Sequence, residues 1–186
     1  MKTILQVDDD PNDVFLLQHA LRKVGVANPI QVAGDGQQAI EYLQGAGKFA
    51  DRAKFPFPCL VLLDLKLPFV MGLDVLRWIR QQPGPVLTVL MLTASGSEAD
   101  IVEAYRLGAN AFLTKPSEAS RLEEMVRAIK DFWLTHNTLP QASPPESQLE
   151  HGVWRVVSTT ASVAPTRPRV NGVPRSKRRY HAKGNV

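Results

Sequence analysis

Cys59-Leu60-Val61-Leu62-Leu63-Asp64-Leu65-Lys66-Leu67-Pro68 decides how the rest of the chain is read. An apolar run this short, without polar alternation, is the pattern of a strand buried on both faces, as in a parallel sheet. The run stops at Asp64, and the C-terminal ends of strands are where open α/β sheets keep their ligands and chemistry. Other strand-like runs end in the same manner. Ile4-Leu5-Gln6-Val7 is followed by Asp8 and Asp9, Val86 to Leu92 by Thr93, and Ala111-Phe112-Leu113-Thr114 by Lys115. Three acids, a hydroxyl and an ammonium are thereby predicted on one edge of one sheet.

Working outward, strand and helix patterns alternate five times between residues 2 and 136. The expected strands are Lys2–Val7, Pro29–Ala33, a third ending at Asp64, Val86–Thr93 and Ala111–Leu113. Asp10 is the expected N-cap of the first helix, with Pro11 at its first position. Val14, Leu17, Leu21 and Val24 give that helix a 3.6-residue face ended by Gly25. Further helices are expected over Gln37–Gln44, Leu73–Gln82, Glu98–Leu107 and Ser117–His136, the last with Leu122, Met125, Val126, Ile129 and Trp133 on one face. Residues 45–58 read as a long connection. Five βα units in series imply a doubly wound parallel α/β sheet with right-handed crossovers and helices on both faces.

The 186 residues suffice for one well-buried domain plus a remainder. Cys59, the lone cysteine, is expected as a small core hydrophobe, and the lack of a disulfide framework fits a reducing cytoplasm. No apolar stretch approaches the roughly 20 residues of a membrane span, and no signal-peptide pattern opens the chain. The net charge of +4 is unevenly placed: residues 137–186 carry eight Lys/Arg against two Asp/Glu, and the other 136 residues carry 14 against 16. A folded domain of charge −2 followed by a basic tail is the expected organisation. Residues 137–150 read as a Pro/Ser-rich linker, Val153–Val157 as one short strand at most, and the rest as disordered, ending in the basic cluster Arg175–Lys183.

Val7-Asp8-Asp9-Asp10-Pro11-Asn12-Asp13, Leu62 to Pro68, Met91-Leu92-Thr93-Ala94-Ser95 and Leu113-Thr114-Lys115-Pro116 resemble, in order, the four signature segments of response regulator receiver domains. The resemblance covers residues 1–136. It implies a flavodoxin-like (βα)5 sheet of order 2-1-3-4-5, and a switch that takes a phosphoryl group from a histidine kinase's phosphohistidine rather than a turnover enzyme. Carried over motif by motif, Asp64 is the phosphoacceptor. Asp9, Asp64 and the Lys66 backbone carbonyl ligate Mg2+, and Asp8 acts through water. Lys115 pairs with Asp64 and then with the phosphoryl oxygens, Thr93 senses the phosphoryl group, and Phe112 is the switch aromatic. The chemistry agrees on general grounds, since phosphoryl transfer is mainly positioning and charge stabilisation, and Mg2+ takes few protein carboxylates. Lys66 and Ser95 flank the pocket at positions where side chains tune phosphoryl lifetime.

The opening Asp-Pro-Asn-Asp and the long 45–58 connection are similar to single-domain regulators paired with phytochrome-type or hybrid kinases. Expected partners are such a kinase, a phosphotransfer protein or downstream target, and a second copy through an apolar face of the fourth helix, fifth strand and fifth helix, Trp133 included. Two alternatives remain at this point. The basic tail could bind nucleic acid or an anionic surface. Asp8 and Asp10 also have the spacing of aspartyl-phosphate hydrolases of the haloacid-dehalogenase type.

Overall fold

The computed structural model describes residues 2–84, 86–94 and 96–138. The linker, the Val153–Val157 segment, the basic cluster and Ser95 lie outside the described residues. The elements run β1 (Thr3–Val7), α1 (Pro11–Lys23), β2 (Ile30–Ala33), α2 (Gly36–Gln44), β3 (Pro58–Leu63), α3 (Gly72–Gln81), β4 (Thr88–Thr93), α4 (Glu98–Arg106), β5 (Ala111–Thr114) and α5 (Ala119–Ile129). All strand pairs are parallel, and the sheet order is β2-β1-β3-β4-β5. This is the flavodoxin-like order. The reversal of strand order between β1 and β3 opens a crevice above their C-terminal ends.

Burial follows position in the sheet. The central strands β1, β3 and β4 are buried along nearly their whole length, whereas the edge strands β2 and β5 are mostly half-buried. One face of the sheet packs Leu17, Ala20 and Leu21 of α1 and Val126 and Ile129 of α5 against Ile4, Leu60, Leu62, Leu90 and Leu92. The other packs Ala39 and Leu43 of α2, Val75, Leu76 and Ile79 of α3 and Ala104 of α4 against Leu5, Val61, Leu63, Val89 and Met91. A side-chain period of two along each strand divides the apolar residues between these two cores.

Helix ends obey local chemistry. Asp10 caps α1 by accepting from the Asn12 N–H at 2.8 Å, and Pro11 opens the helix. Ser97 and Asp100 form a capping box on α4, which satisfies two N–H groups at once. The connection over residues 45–58 holds a 3-10 turn at Gly47–Phe49 and is fastened by Arg52. That guanidinium donates to the carbonyls of Tyr42 and Leu43, each at 2.7 Å, and of Phe55 at 3.2 Å. It therefore caps the C-terminal turn of α2. At the same edge, where the strands begin, Arg80 of α3 donates to Gly108 O, Leu87 O and Asn110 Oδ1, each at 2.9 Å.

Several boundaries differ from the sequence expectation. β4 begins at Thr88 rather than Val86, because the Leu87 carbonyl is taken by Arg80 and Val86 is exposed. The single last helix expected to His136 is α5 followed by a π-helical segment over Lys130–His136. There the Thr135 hydroxyl donates to Lys130 O at 3.1 Å and the Asn137 N–H to Phe132 O at 2.7 Å. The wider turn lets Trp133 and Leu134 both pack on the α1/α5 core. Trp133 is thus half-buried, and the exposed apolar residues of this region are Val102, Tyr105 and Phe132. Cys59 is half-buried rather than core, since it sits near the start of β3, where the register to β1 shifts. Burial pushes its thiol up, which keeps it protonated and unreactive.

Candidate functional site

The residues that follow β1, β3, β4 and β5 meet at one edge of the sheet. Asp64 begins where β3 ends: its N–H still donates to Val7 O at 2.9 Å, in continuation of the ladder. Its side chain is 12% exposed, and Oδ1 accepts from the Leu65 N–H at 2.6 Å. Asp8 is buried and its Oδ1 accepts from the Asp10 N–H at 3.2 Å. Asp9 is exposed at the rim. Carboxylate oxygens of Asp8, Asp9 and Asp64 lie within 4.8 Å of one another.

Three carboxylates so close repel, and the Lys115 ammonium offsets part of that. Its Nζ is 2.7 Å from Asp8 Oδ2, 2.8 Å from Asp13 Oδ2 and 3.6 Å from Asp64 Oδ2. Burial pulls the Lys115 ammonium down, but hydrogen bonds to Asp13 and Asp8 outweigh it and leave the pKa raised. For Asp8 the balance tips the other way: burial raises its carboxyl above the usual range despite the opposing Lys115 contact. A buried carboxylate that remains undercompensated by its protein partners fits a set of hard oxygen donors meant for a cation.

Thr93 is buried at the end of β4, and its carbonyl accepts from the Lys115 N–H at 2.7 Å. Hydroxyl and ammonium are therefore held by one backbone link. The Phe112 ring reaches the loop after β4. A Cβ built on Gly96 would come within 2.7 Å of Phe112 Cζ and 3.7 Å of Thr93 Cγ2. Threonine, aromatic and glycine share one point of contact, and the Phe112 N–H donates to the Tyr105 hydroxyl of α4 at 3.3 Å. Lys66 is exposed in the loop after Asp64, where it lines a cavity of about 290 Å³ with Leu65, Met71, Asp74, Arg77 and Asp100. In the same loop Phe69 takes φ 64° and is 90% exposed. A positive φ is unfavourable for a side chain of that size.

Asp8, Asp9, Asp64, Thr93 and Lys115 thus come together as the sequence anticipates, with Phe112 behind them. Asp10 does not join them, because its carboxylate caps α1. The hydrolase reading, which needs Asp10 beside Asp8 in the chemistry, loses its second acid. Asp13 was not anticipated as a partner of Lys115. Its only sequence signal is its place in the first turn of a helix that starts beside Asp8 and Asp9.

Comparison with known proteins agrees with this geometry. The family profile described as "Response regulator receiver domain" matches residues 4–127. Response regulator Rcp1 of Synechocystis sp. is 37% identical over 142 residues, covering 76% of this chain and 95% of Rcp1. A phosphorylated cyanobacterial phytochrome response regulator, RcpA, superposes with a TM-score of 0.68 at 37% identity, over 75% of this chain and 98% of that one. The Mn2+-bound form of Rcp1 superposes with a TM-score of 0.67 at 36% identity, over 75% and 99%. Receiver domains bind a divalent metal at an acidic pocket, take part in two-component signalling with histidine kinases, and function by accepting a phosphoryl group. With its sheet order, its acidic crevice and its relatives in agreement, this chain belongs to the response regulator receiver domain family.

Proposed function

We propose that Asp64 is the phosphoacceptor of a receiver whose phosphorylation switches a protein-binding surface or passes the phosphoryl group onward. One observation carries the reading: a nearly buried carboxylate lies within 4.8 Å of two further carboxylates and 3.6 Å from an ammonium. In the transfer an Asp64 oxygen forms a P–O bond as the N–P bond of a phosphohistidine breaks. The leaving imidazole keeps the electron pair and takes a proton from solvent. Lys115 compensates charge on the phosphoryl oxygens, and preorganised charge of this kind is the main source of acceleration in such reactions. Asp8, Asp9, Asp64 and the Lys66 carbonyl are the residues to hold Mg2+. The bound ion supplies charge neutralisation at the carboxylates and at the phosphoryl oxygens.

Thr93 hydrogen-bonds the phosphoryl group, and its shift releases Phe112 from Gly96. Phe112 lacks a hydroxyl, so this switch acts by packing. The shift reaches α4 through Tyr105, biasing a pre-existing equilibrium of the α4–β5–α5 face. Val102 and Tyr105 of α4 are exposed apolar residues there for a target or a second copy. Similarity to RcpA, a phytochrome response regulator, supports a phytochrome-type histidine kinase as donor; among the described residues no helix is long and apolar enough to cross a membrane.

Acetyl phosphate with Mg2+, applied to the wild type and to Asp64→Asn and read by intact mass, tests the assignment. One phosphoryl adduct on the wild type alone is expected, because Asn keeps the volume but not the nucleophile. A stable adduct of the same mass on Asp64→Asn would refute it.

A further inference from the structure

We infer that Asp13 is a positioning residue that draws the Lys115 ammonium off the Asp64 carboxylate and keeps the nucleophile's oxygens open. The inference rests on the reading of Asp64 as phosphoacceptor. It starts from three unequal distances. Lys115 Nζ is at hydrogen-bond distance from Asp8 Oδ2 and Asp13 Oδ2, 2.7 and 2.8 Å, and beyond it, at 3.6 Å, from Asp64 Oδ2. An ammonium has three N–H donors and no acceptor. Two of these donors are taken by the Asp8 and Asp13 contacts.

The backbone does not set this bias. Lys115 is fixed to β4 through its N–H bond to Thr93 O, and from that anchor the flexible stem reaches all three carboxylates. The side chain is 11% exposed, so water is a poor substitute for a lost partner. If Asp13 were neutral, the ammonium would keep Asp8 and close the gap on Asp64, covering lone pairs that phosphoryl transfer needs. Asp8 cannot do the holding alone, because it belongs to the carboxylate cluster suited to a cation, and Asp13 does not. An Asp8 oxygen turned to a cation leaves the ammonium with Asp13 or Asp64.

Asp13 is placed for this by α1. Asp10 and Pro11 define the first turn, and that turn begins two residues after the metal-type pair at the end of β1. Its carboxylate is 34% exposed, so the pairing is partly screened by solvent. A hold of that modest strength is reversible. When the phosphoryl group brings its negative oxygens to Asp64, the same ammonium can transfer to them.

The test uses the full-length chain. In metal-free protein labelled with 13C and 15N, hydrogen-bond scalar couplings from Lys115 Nζ to the carboxyl carbons are expected for Asp8 and Asp13 and not for Asp64. Asp13→Asn should gain the coupling to Asp64. With saturating Mg2+ and acetyl phosphate, Asp13→Asn should be phosphorylated more slowly by about threefold or more, and Asp13→Glu should restore the rate. Added to Lys115→Ala, Asp13→Asn should cause no further slowing, since no ammonium is left to misplace. Unchanged lysine couplings in Asp13→Asn, or equal slowing in both backgrounds, would overturn the inference. A wild type that takes no phosphoryl group would overturn the reading of Asp64 and this inference with it. A phosphorylated wild type with an Asp13→Asn rate to match would overturn this inference alone.

Discussion

Gly72 opens α3 against the backbone of Asp64, and replacing it with alanine tests whether the site depends on that approach. A Cβ on Gly72 would lie 2.0 Å from the Asp64 carbonyl oxygen and 3.0 Å from both its carbonyl carbon and Leu65 Cα. All three atoms are backbone, so no side chain can swing aside. Contacts under 3.0 Å are essentially never seen for a Cβ, and the α3 start and the Asp64 peptide must therefore part by about 1 Å. Overpacking of that kind destabilises by about 1–3 kcal/mol, which for a domain of this size lowers Tm by roughly 3–15 °C. Misplacement by about 1 Å of a group aligned for reaction can reduce a rate on the order of 100-fold. Thermal melts and the initial rate of adduct formation with acetyl phosphate and Mg2+ would read both effects. Gly34→Ala is the control, because its Cβ would meet only Gln38 Nε2 at 3.8 Å. If Gly72→Ala melted and was phosphorylated like that control, the claim that the start of α3 and Asp64 are held by close packing would be refuted.

Further outcomes follow from other buried groups. Gln6 is 1% exposed in β1, and neither of its amide atoms has a hydrogen-bond partner; Gln6→Leu should raise stability by about 1–3 kcal/mol in urea melts, and a loss would mean the amide is satisfied by water. Burial pushes the Tyr42 phenol up to about 12, with Arg52 opposing it. A raised acid stabilises the fold while protonated, so this contribution is complete below the ordinary tyrosine value near 10 and disappears as pH rises toward 12. Absorbance titration should show Tyr42 ionising with alkaline unfolding and missing from Tyr42→Phe; ionisation near pH 10 in folded protein would contradict it. Gly96→Ala should displace the Phe112 ring, whose Cζ lies 2.7 Å from the added Cβ. Chemical shifts of the ring should move in the unphosphorylated protein, while stability changes by less than about 1.5 kcal/mol because a side chain can yield. Unmoved ring signals would separate Phe112 from the loop after β4.

The parts of this molecule that could be read from sequence are those with a local cause. The buried run before Asp64 and the helical face of Leu17 and Leu21 each state their period within a few residues, and alternation of the two implies the parallel sheet. The site follows from topology: once Asp8, Asp9, Asp64, Thr93 and Lys115 stand at strand ends, a parallel sheet brings them to the same edge. Contacts set by tertiary distance were not legible. In Asp8-Asp9-Asp10-Pro11-Asn12-Asp13, four acids look alike, yet one caps a helix and another pairs with a lysine 102 positions away. The widening of the last helix into π geometry depends on both Trp133 and Leu134 finding the core. Half-burial of Cys59 reflects a register shift between β1 and β3 that the apolar run does not encode.

Arg52 draws its bonds from carbonyl oxygens of Tyr42, Leu43 and Phe55 rather than from a carboxylate. This has a consequence for how the domain responds to ionic strength. The Lys23–Glu123 bridge between α1 and α5 is exposed, and added salt screens such a pair within about a Debye length. A guanidinium bound to neutral acceptors has no counter-charge for salt ions to replace, and its partners are shielded beside the Tyr42, Phe49 and Phe55 rings, which meet edge to face. The long connection into β3 should therefore remain docked at salt concentrations that already loosen the ion pair on the opposite face, and the strand that delivers Asp64 keeps its anchorage in brine as in dilute buffer.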